Sequence, residues 1–149
     1  MTLSQKCQYA LRAIFELCLR FGQGPVSISE TAEAQAIPAR FLEQILAQAR
    51  QAGYVESRRG IQGGYMLAAA PDKLTVGEVI RYFEGPLMPV KCVAGQGGGD
   101  CPLRGNCAFK VLWKRAEEAA SAVYDSTTFQ DLVDEYKSSA ARYALNYCI

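Results

Sequence analysis

Between residues 27 and 67, two short helical patterns are followed directly by a glycine-rich reversal. This order constrains the fold more than any other feature of the sequence. Ser27 and Glu30 have the spacing of a capping box, which predicts a short helix running to about Ala36. Ile37-Pro38 then breaks the pattern. Proline is tolerated at the first position of a helix, because its missing amide hydrogen would have no partner there. A further helix is therefore predicted to begin at Pro38.

This helix is amphipathic, and a hairpin follows it. Its apolar residues share one face, and Arg40, Glu43 and Gln44 lie on the opposite face. Residues 54–59 and 65–67 are rich in strand-forming residues, and the glycines between them allow a tight reversal. An amphipathic helix is also predicted over residues 4–21. Three helices followed by a two-stranded hairpin is the order of a winged helix-turn-helix.

The rest of the chain predicts three more segments. Thr75 and Glu78 form a second capping-box pattern, which opens a helix that stops at Gly85-Pro86. Residues 86–107 show no periodicity, whereas residues 108–124 have the apolar spacing of a long helix. Residues 125–128 cap a last helix through Tyr136, and the pattern is ambiguous beyond Ser138.

The predicted fold class is therefore mostly α with a small β-hairpin wing. It comprises a winged helix-turn-helix DNA-binding domain over residues 1–84, a three-cysteine loop over 85–107, and a dimerisation helix with a C-terminal helix or tail over 108–149. The long helix has too little partner surface in its own chain. We therefore expect it to pack against its counterpart in a two-fold homodimer, the commonest closed symmetry and one that suits palindromic DNA.

The composition excludes several classes of protein. Histidine is absent, which rules out histidine-dependent catalysis, and neither a nucleophile–base pair nor a phosphate-binding glycine motif is found; we expect no enzyme. No apolar run is long enough to span a membrane, and the secretory signal pattern is missing, so a cytoplasmic location is expected. The net charge is only +1, although residues 1–67 hold seven Lys/Arg against five Asp/Glu.

Two groups of polar residues fit the recognition of double-stranded DNA. Arg40, Glu43 and Gln44 are residue types that bind guanine, cytosine and adenine edges in the major groove. Arg58 and Arg59 lie beside the glycine-rich reversal, where they could reach phosphate or a narrow minor groove.

A second chemical signal is the series Cys92, Cys101 and Cys107 in a glycine-rich loop. Thiolates bind soft metals and iron–sulfur clusters, and glycine lets the backbone fold closely around an inorganic core. The spacing is not that of a structural zinc site, and three cysteines leave one ligand to be found. From the residues alone, a cluster, zinc, a thiol redox switch and free cysteines all remain open.

Taken together, these features resemble the Rrf2 family of bacterial regulators over nearly the whole chain. The resemblance rests on the three-cysteine loop and on these motifs: Lys6-x-x-Tyr9-Ala10-Leu11-Arg12, residues 37–44, Gly60-x-x-Gly63-Gly64-Tyr65-x-Leu67, residues 75–80, Leu112-Trp113 and residues 125–128. It implies a homodimer on palindromic promoter DNA, with one iron–sulfur cluster per subunit whose state alters DNA binding. It also implies further DNA contacts, at Lys6, Tyr9, Ser27, Pro38, Ala39, Phe41 and Gly63.

The sequence departs from the family at the fourth ligand of the cluster. Members with a [2Fe–2S] cluster carry a histidine shortly after the third cysteine, where this chain has Lys110. Other members use an acidic residue near the start of the first helix, contributed by the second subunit, and this chain has Gln8 next to Cys7 at that place. We therefore expect Gln8 or Cys7 to complete a [4Fe–4S] or [2Fe–2S] site.

The leading hypothesis is a repressor whose cluster senses iron, oxygen or nitric oxide. One alternative is a regulator that uses its cysteines as a direct thiol redox switch without a cluster. The second alternative is a cluster-carrying module for electron transfer or protein interaction.

Overall fold

The computed structural model describes residues 2–87, 90, 101, 103 and 106–146, with side chains described up to residue 140. Its elements are α1 (Gln5–Leu19), α2 (Ile28–Gln35), α3 (Ala39–Gln51), β1 (Val55–Arg58), β2 (Gly64–Leu67), a 3-10 turn (Pro71–Lys73), α4 (Val76–Glu84), α5 (Phe109–Ser126) and α6 (Phe129–Asn146). Strands β1 and β2 pair antiparallel. The predicted fold, mostly helical with a small hairpin after the third helix, is confirmed.

Local capping sets where several helices begin. Ser27 and Thr75 cap α2 and α4 in the two predicted capping boxes, in which a glutamate three residues later returns the hydrogen bond. Thr128 begins α6 in the same way, because its backbone N–H donates to Asp131 Oδ2 at 2.8 Å and its hydroxyl accepts from the Asp131 N–H at 3.1 Å. Each arrangement satisfies amides that the helix itself leaves unpaired.

Pro38 precedes α3 rather than occupying its first turn, so the predicted position of this proline was wrong by one residue. Its ψ of 127° is extended, while its carbonyl accepts hydrogen bonds from the N–H groups of Phe41 and Leu42 at 3.0 and 3.1 Å. A residue that is extended yet accepts the first helical bonds is an N-cap.

Helix α1 is the centre of the hydrophobic core. Its buried residues pack with apolar residues of α3, α4 and the hairpin. Helix α6 returns to the same core, where Phe129 is fully buried and Val133 nearly so. The ring of Phe15 in α1 also meets that of Tyr136 in α6 edge-on, with centroids 5.6 Å apart. The beginning of the C-terminal segment is therefore part of the same hydrophobic core as α1.

Helix α5 is held to the domain mainly at its C-terminal end. All residues of 109–126 are described, and none of them is buried. At the end of the helix, Asp125 forms an ion pair with Arg81 of α4 at 2.7 Å, and a Cβ on Gly77 would collide with the Asp125 carboxylate. Backbone hydrogen bonds from Val76 N to Thr127 O at 2.9 Å and from Phe129 N to Leu74 O at 3.0 Å complete the joint. Across the described ranges, every helix is too short or too polar to cross a membrane.

The burial of Phe129 leads to a stability prediction. Phe129→Ala should lower the free energy of unfolding by about 3–5 kcal/mol, because it removes a fully buried ring and leaves a cavity. Phe21→Ala is the matched control, since the Phe21 side chain is 49% exposed, and it should cost about 1 kcal/mol or less. Urea denaturation of both variants measures the difference, and equal losses would show that α6 does not share the core.

Candidate nucleic-acid interface and cysteine segment

The outer face of α3 presents the predicted base-reading residues together. Arg40, Glu43 and Gln44 are all exposed, while the opposite face buries apolar side chains. Pro38 and Ala39 are exposed at the N-terminal end of the same helix. The face has the size and residue types that a major-groove reader needs. Contact with bases remains a prediction.

The N-terminal part of α1 lies beside this helix. A cavity of about 260 Å³ between α1 and α3 is lined by Gln5, Lys6, Tyr9, Phe41, Gln44 and Ile45. The structure thus brings together four residues that the sequence or the family resemblance marked for DNA contact. The Lys6 ammonium also lies 5.7 Å from the centre of the Phe83 ring, within range of a cation–π interaction.

The wing carries Arg58 at the end of β1, with Arg59 directly after it, and both are exposed. Its base is braced on two sides. Arg50 of α3 donates to Ser57 Oγ at 3.1 Å, and Val26 exchanges two backbone hydrogen bonds of 2.8 Å with Tyr65. The hairpin is therefore fixed relative to α3.

Two of the predicted DNA contacts also have structural roles. A Cβ on Gly63 would collide with the carbonyl oxygens of Arg58 and Gly60, so the turn itself requires glycine there. The Ser27 hydroxyl donates to Glu30 Oε2 at 2.6 Å as part of the α2 cap. This hydrogen bond, with that from the Ser27 backbone, holds the pKa of Glu30 below its usual value. DNA contact by Gly63 or Ser27 remains a prediction.

Only part of the cysteine series is visible. Cys101 is exposed and Cys107 is half-buried, whereas Cys92 lies outside the described residues. Cys107 lies two residues before α5, and its carbonyl accepts a hydrogen bond from the Lys110 N–H at 3.2 Å. Among the residues that the structure describes, no three cysteine, aspartate or glutamate side chains are gathered into a metal site.

The two predicted fourth ligands have different surroundings. Cys7 is fully buried, and burial, with a smaller effect from the charge of Glu84, raises the pKa of its thiol to about 11. A metal binds the thiolate, which such an environment disfavours. Gln8 is exposed and donates its side-chain N–H to Leu3 O at 2.8 Å. Gln8 is therefore accessible from solvent and Cys7 is not, and coordination by either residue remains a prediction.

Two contacts near these residues have no counterpart in the sequence analysis. Ser4 donates from its backbone N–H and its hydroxyl to Glu84 Oε2, at 3.1 and 2.6 Å. Tyr82 donates its hydroxyl to Gln48 O at 3.1 Å, which ties α4 to α3. Both join residues far apart in sequence, and no local pattern predicts such pairs.

The chain matches known regulators over most of its length. The Rrf2 family model, described as an iron-dependent transcriptional regulator, matches residues 3–135. The HTH-type transcriptional regulator CymR of Bacillus subtilis is 37% identical over 132 residues, or 89% of each chain. A structure of that protein, described as the global cysteine regulator, aligns with a TM-score of 0.77 at 36% identity, covering 91% of this chain and 98% of the other.

Two further structures show the same fold. T. potens IscR aligns with a TM-score of 0.76 at 34% identity, covering 93% of this chain and 90% of the other. The oxidized form of Staphylococcus aureus CymR aligns with a TM-score of 0.72 at 31% identity, covering 89% and 96%. The curated relatives are transcriptional regulators, which agrees with the expectation that the chain is not an enzyme. The chain belongs to the Rrf2 family of DNA-binding transcriptional regulators.

Proposed function

We propose that the protein is a cytoplasmic homodimeric repressor that binds palindromic promoter DNA under the control of an iron–sulfur cluster. The observation that carries the DNA-binding part is the exposed polar face of α3 beside a braced wing. A major groove admits one α-helix, and a wing at a fixed distance can reach the flanking backbone or minor groove. The net charge of +1 leaves little non-specific attraction, so side-chain contacts with the bases would carry most of the selectivity.

A second copy of the chain is the partner that we propose for α5. Large apolar side chains remain exposed along this helix, namely Phe109, Val111, Leu112 and Val123. Large exposed apolar side chains favour association with another surface. A two-fold pair of α5 helices would present two α3 helices with the symmetry of a palindrome.

We propose that the exposed Cys101 and the half-buried Cys107, which lies just before α5, are two ligands of the cluster. Cys101, Cys107 and Cys92 would provide three sulfur ligands, and Gln8 would complete the set. When bound, the cluster would supply a centre that responds chemically to iron, oxygen or nitric oxide. The stretch of chain that holds the three cysteines joins α4 to α5. A rearrangement there would therefore act on the ion pair between Arg81 and Asp125.

A thiol switch without a cluster is the second candidate. The exposed thiol of Cys101 and the likeness to a CymR structure in its oxidized form both favour it. Hydrogen peroxide would convert the thiol of Cys101 to a sulfenic acid, with release of one water molecule. The added polar group would then alter the segment before α5.

One prediction of the proposed function concerns DNA binding. Gln44→Ala should weaken binding to the protein's own promoter by about tenfold, because it removes a bidentate contact to adenine. Arg59→Ala should weaken binding and lower the slope of affinity against salt by about one per copy, since it removes a phosphate or minor-groove cation. Fluorescence anisotropy at several salt concentrations measures both effects.

The control for Gln44→Ala is Gln51→Ala, which changes an exposed glutamine at the other end of the same helix. It should leave affinity unchanged. Light scattering of the complex should give two chains per palindrome. A monomeric mass, or equal effects at Gln44 and Gln51, would contradict the proposed mode of binding.

The cofactor prediction separates the cluster from the thiol switch. Protein purified without oxygen should be brown, and Cys101→Ala should bleach it, whereas Cys18→Ala should keep the colour because Cys18 belongs to the core. Protein that stays colourless after anaerobic reconstitution would exclude the cluster. Mass spectrometry after mild peroxide treatment would then show oxygen added at Cys101 if the thiol switch operates.

A labelling prediction follows from the buried thiol of Cys18. Burial raises its pKa to about 12, so at about pH 8 the group remains the unreactive thiol rather than the thiolate. In metal-free native protein, iodoacetamide should label Cys101 and leave Cys18 unmodified. Unfolded protein should be labelled at both sites, and rapid native labelling of Cys18 would show that its surroundings open.

A further inference from the structure

The tip of the wing exposes an isoleucine completely. Ile61 has a relative exposure of 108%, the highest among the exposed large hydrophobic residues of the described chain. Single exposed apolar residues are common on protein surfaces. Central turn positions, however, usually hold glycine, asparagine, aspartate, serine or proline, so a β-branched apolar residue gives this turn no local advantage.

The turn presents Ile61 in a defined position. Gly63 N donates to Gly60 O at 2.9 Å, which closes the four-residue reversal around Ile61 and Gln62. Gly60 adopts a φ of +114°, which favours glycine, and Gly63 leaves no room for a Cβ. At the base, a Cβ on Gly64 would collide with the carbonyl oxygen of Val26. The wing is therefore packed closely at its base and closed tightly at its tip.

Two cations lie next to this apolar tip. Arg58 and Arg59 are exposed, and neither has a carboxylate within 4.0 Å in the part of the chain that is described. Exposed arginines are attracted to the enhanced negative potential of a narrow, A·T-rich minor groove. If the tip entered that groove together with such arginines, an apolar side chain there would lie against the edges of the bases.

We propose that Ile61 reads the minor groove and selects A·T over G·C base pairs beneath the wing. This inference rests on the proposed DNA binding and adds a specificity-determining residue to it. The guanine N2 amino group is the donor that distinguishes G·C from A·T in this groove. The side chain of Ile61 accepts no hydrogen bond, so it would remove water from that amino group without replacing the interaction. An A·T pair has no such group and leaves no donor unpaired.

The test uses the wild-type promoter and two duplexes altered beneath the wing, whose position a hydroxyl-radical footprint defines. One duplex replaces A·T by G·C, and the other replaces it by inosine·cytosine. Inosine lacks the N2 amino group but keeps the major-groove edge of guanine. Any recovery of affinity on the inosine duplex therefore reports a contact in the minor groove. Wild-type protein should bind the G·C duplex about tenfold more weakly, and inosine should restore most of the affinity.

Two protein variants test whether the Ile61 side chain causes this preference. Ile61→Ser should bind the G·C and A·T duplexes within about twofold of one another, because serine can accept from the amino group. Gln62→Ser, at the neighbouring exposed turn position, should keep the wild-type preference. If Ile61→Ser also keeps the preference for A·T over G·C, the arginines select the site by the width of the groove, and the inference is wrong. If the wild-type protein forms no specific promoter complex at all, the proposed function fails as well.

Discussion

Helix α1 packs against several other elements at once, and the arrangement of the domain depends on these contacts. It contacts α2, α3, α4, α6 and β2. Ala10 and Ala13 are fully buried, and their small side chains let neighbouring helices approach closely. The buried carboxylate of Glu16 is compensated by Arg20 Nε and Gln35 Nε2, each at 2.8 Å. A buried charge with two such partners stabilises one particular placement of α2, whereas loss of either partner would leave it undercompensated.

The same helix connects the proposed interface with the cysteine segment. Its cap residue, Ser4, is bonded to Glu84, the last residue of α4 and therefore the last helical residue before that segment. On the far side of the segment, α5 is joined to α4 through Asp125 and Arg81. A rearrangement of the segment would thus act on two contacts of the preceding domain, the Ser4–Glu84 hydrogen bond and the Arg81–Asp125 ion pair. Of these residues, Ser4 lies within five residues of Lys6 and Tyr9, which line the cavity beside α3.

The features that the sequence predicted are those set by short-range chemistry. The caps at Ser27 and Thr75 follow from spacings of three residues, and the polar face of α3 follows from helical periodicity. The Ser4–Glu84 contact joins residues 80 positions apart, and no periodicity specifies such a pairing. The core role of Phe129 was missed for the same reason. Helix α6 also continues to Asn146, beyond the point where the pattern became ambiguous, because packing of its first turns fixes a nucleus that the rest extends.

Low net charge changes how such a regulator would be controlled. A strongly basic protein stays near DNA at any sequence, so releasing it requires a large loss of affinity. With a charge of +1, the proposed dimer would draw most of its binding free energy from aligned contacts at two half-sites. Each tenfold loss at a half-site corresponds to about 1.4 kcal/mol, and misalignment of one half-site also removes the advantage of bivalent binding. In the proposed dimer, a displacement at the α4–α5 joint that misaligned one half-site would therefore weaken promoter binding through both effects.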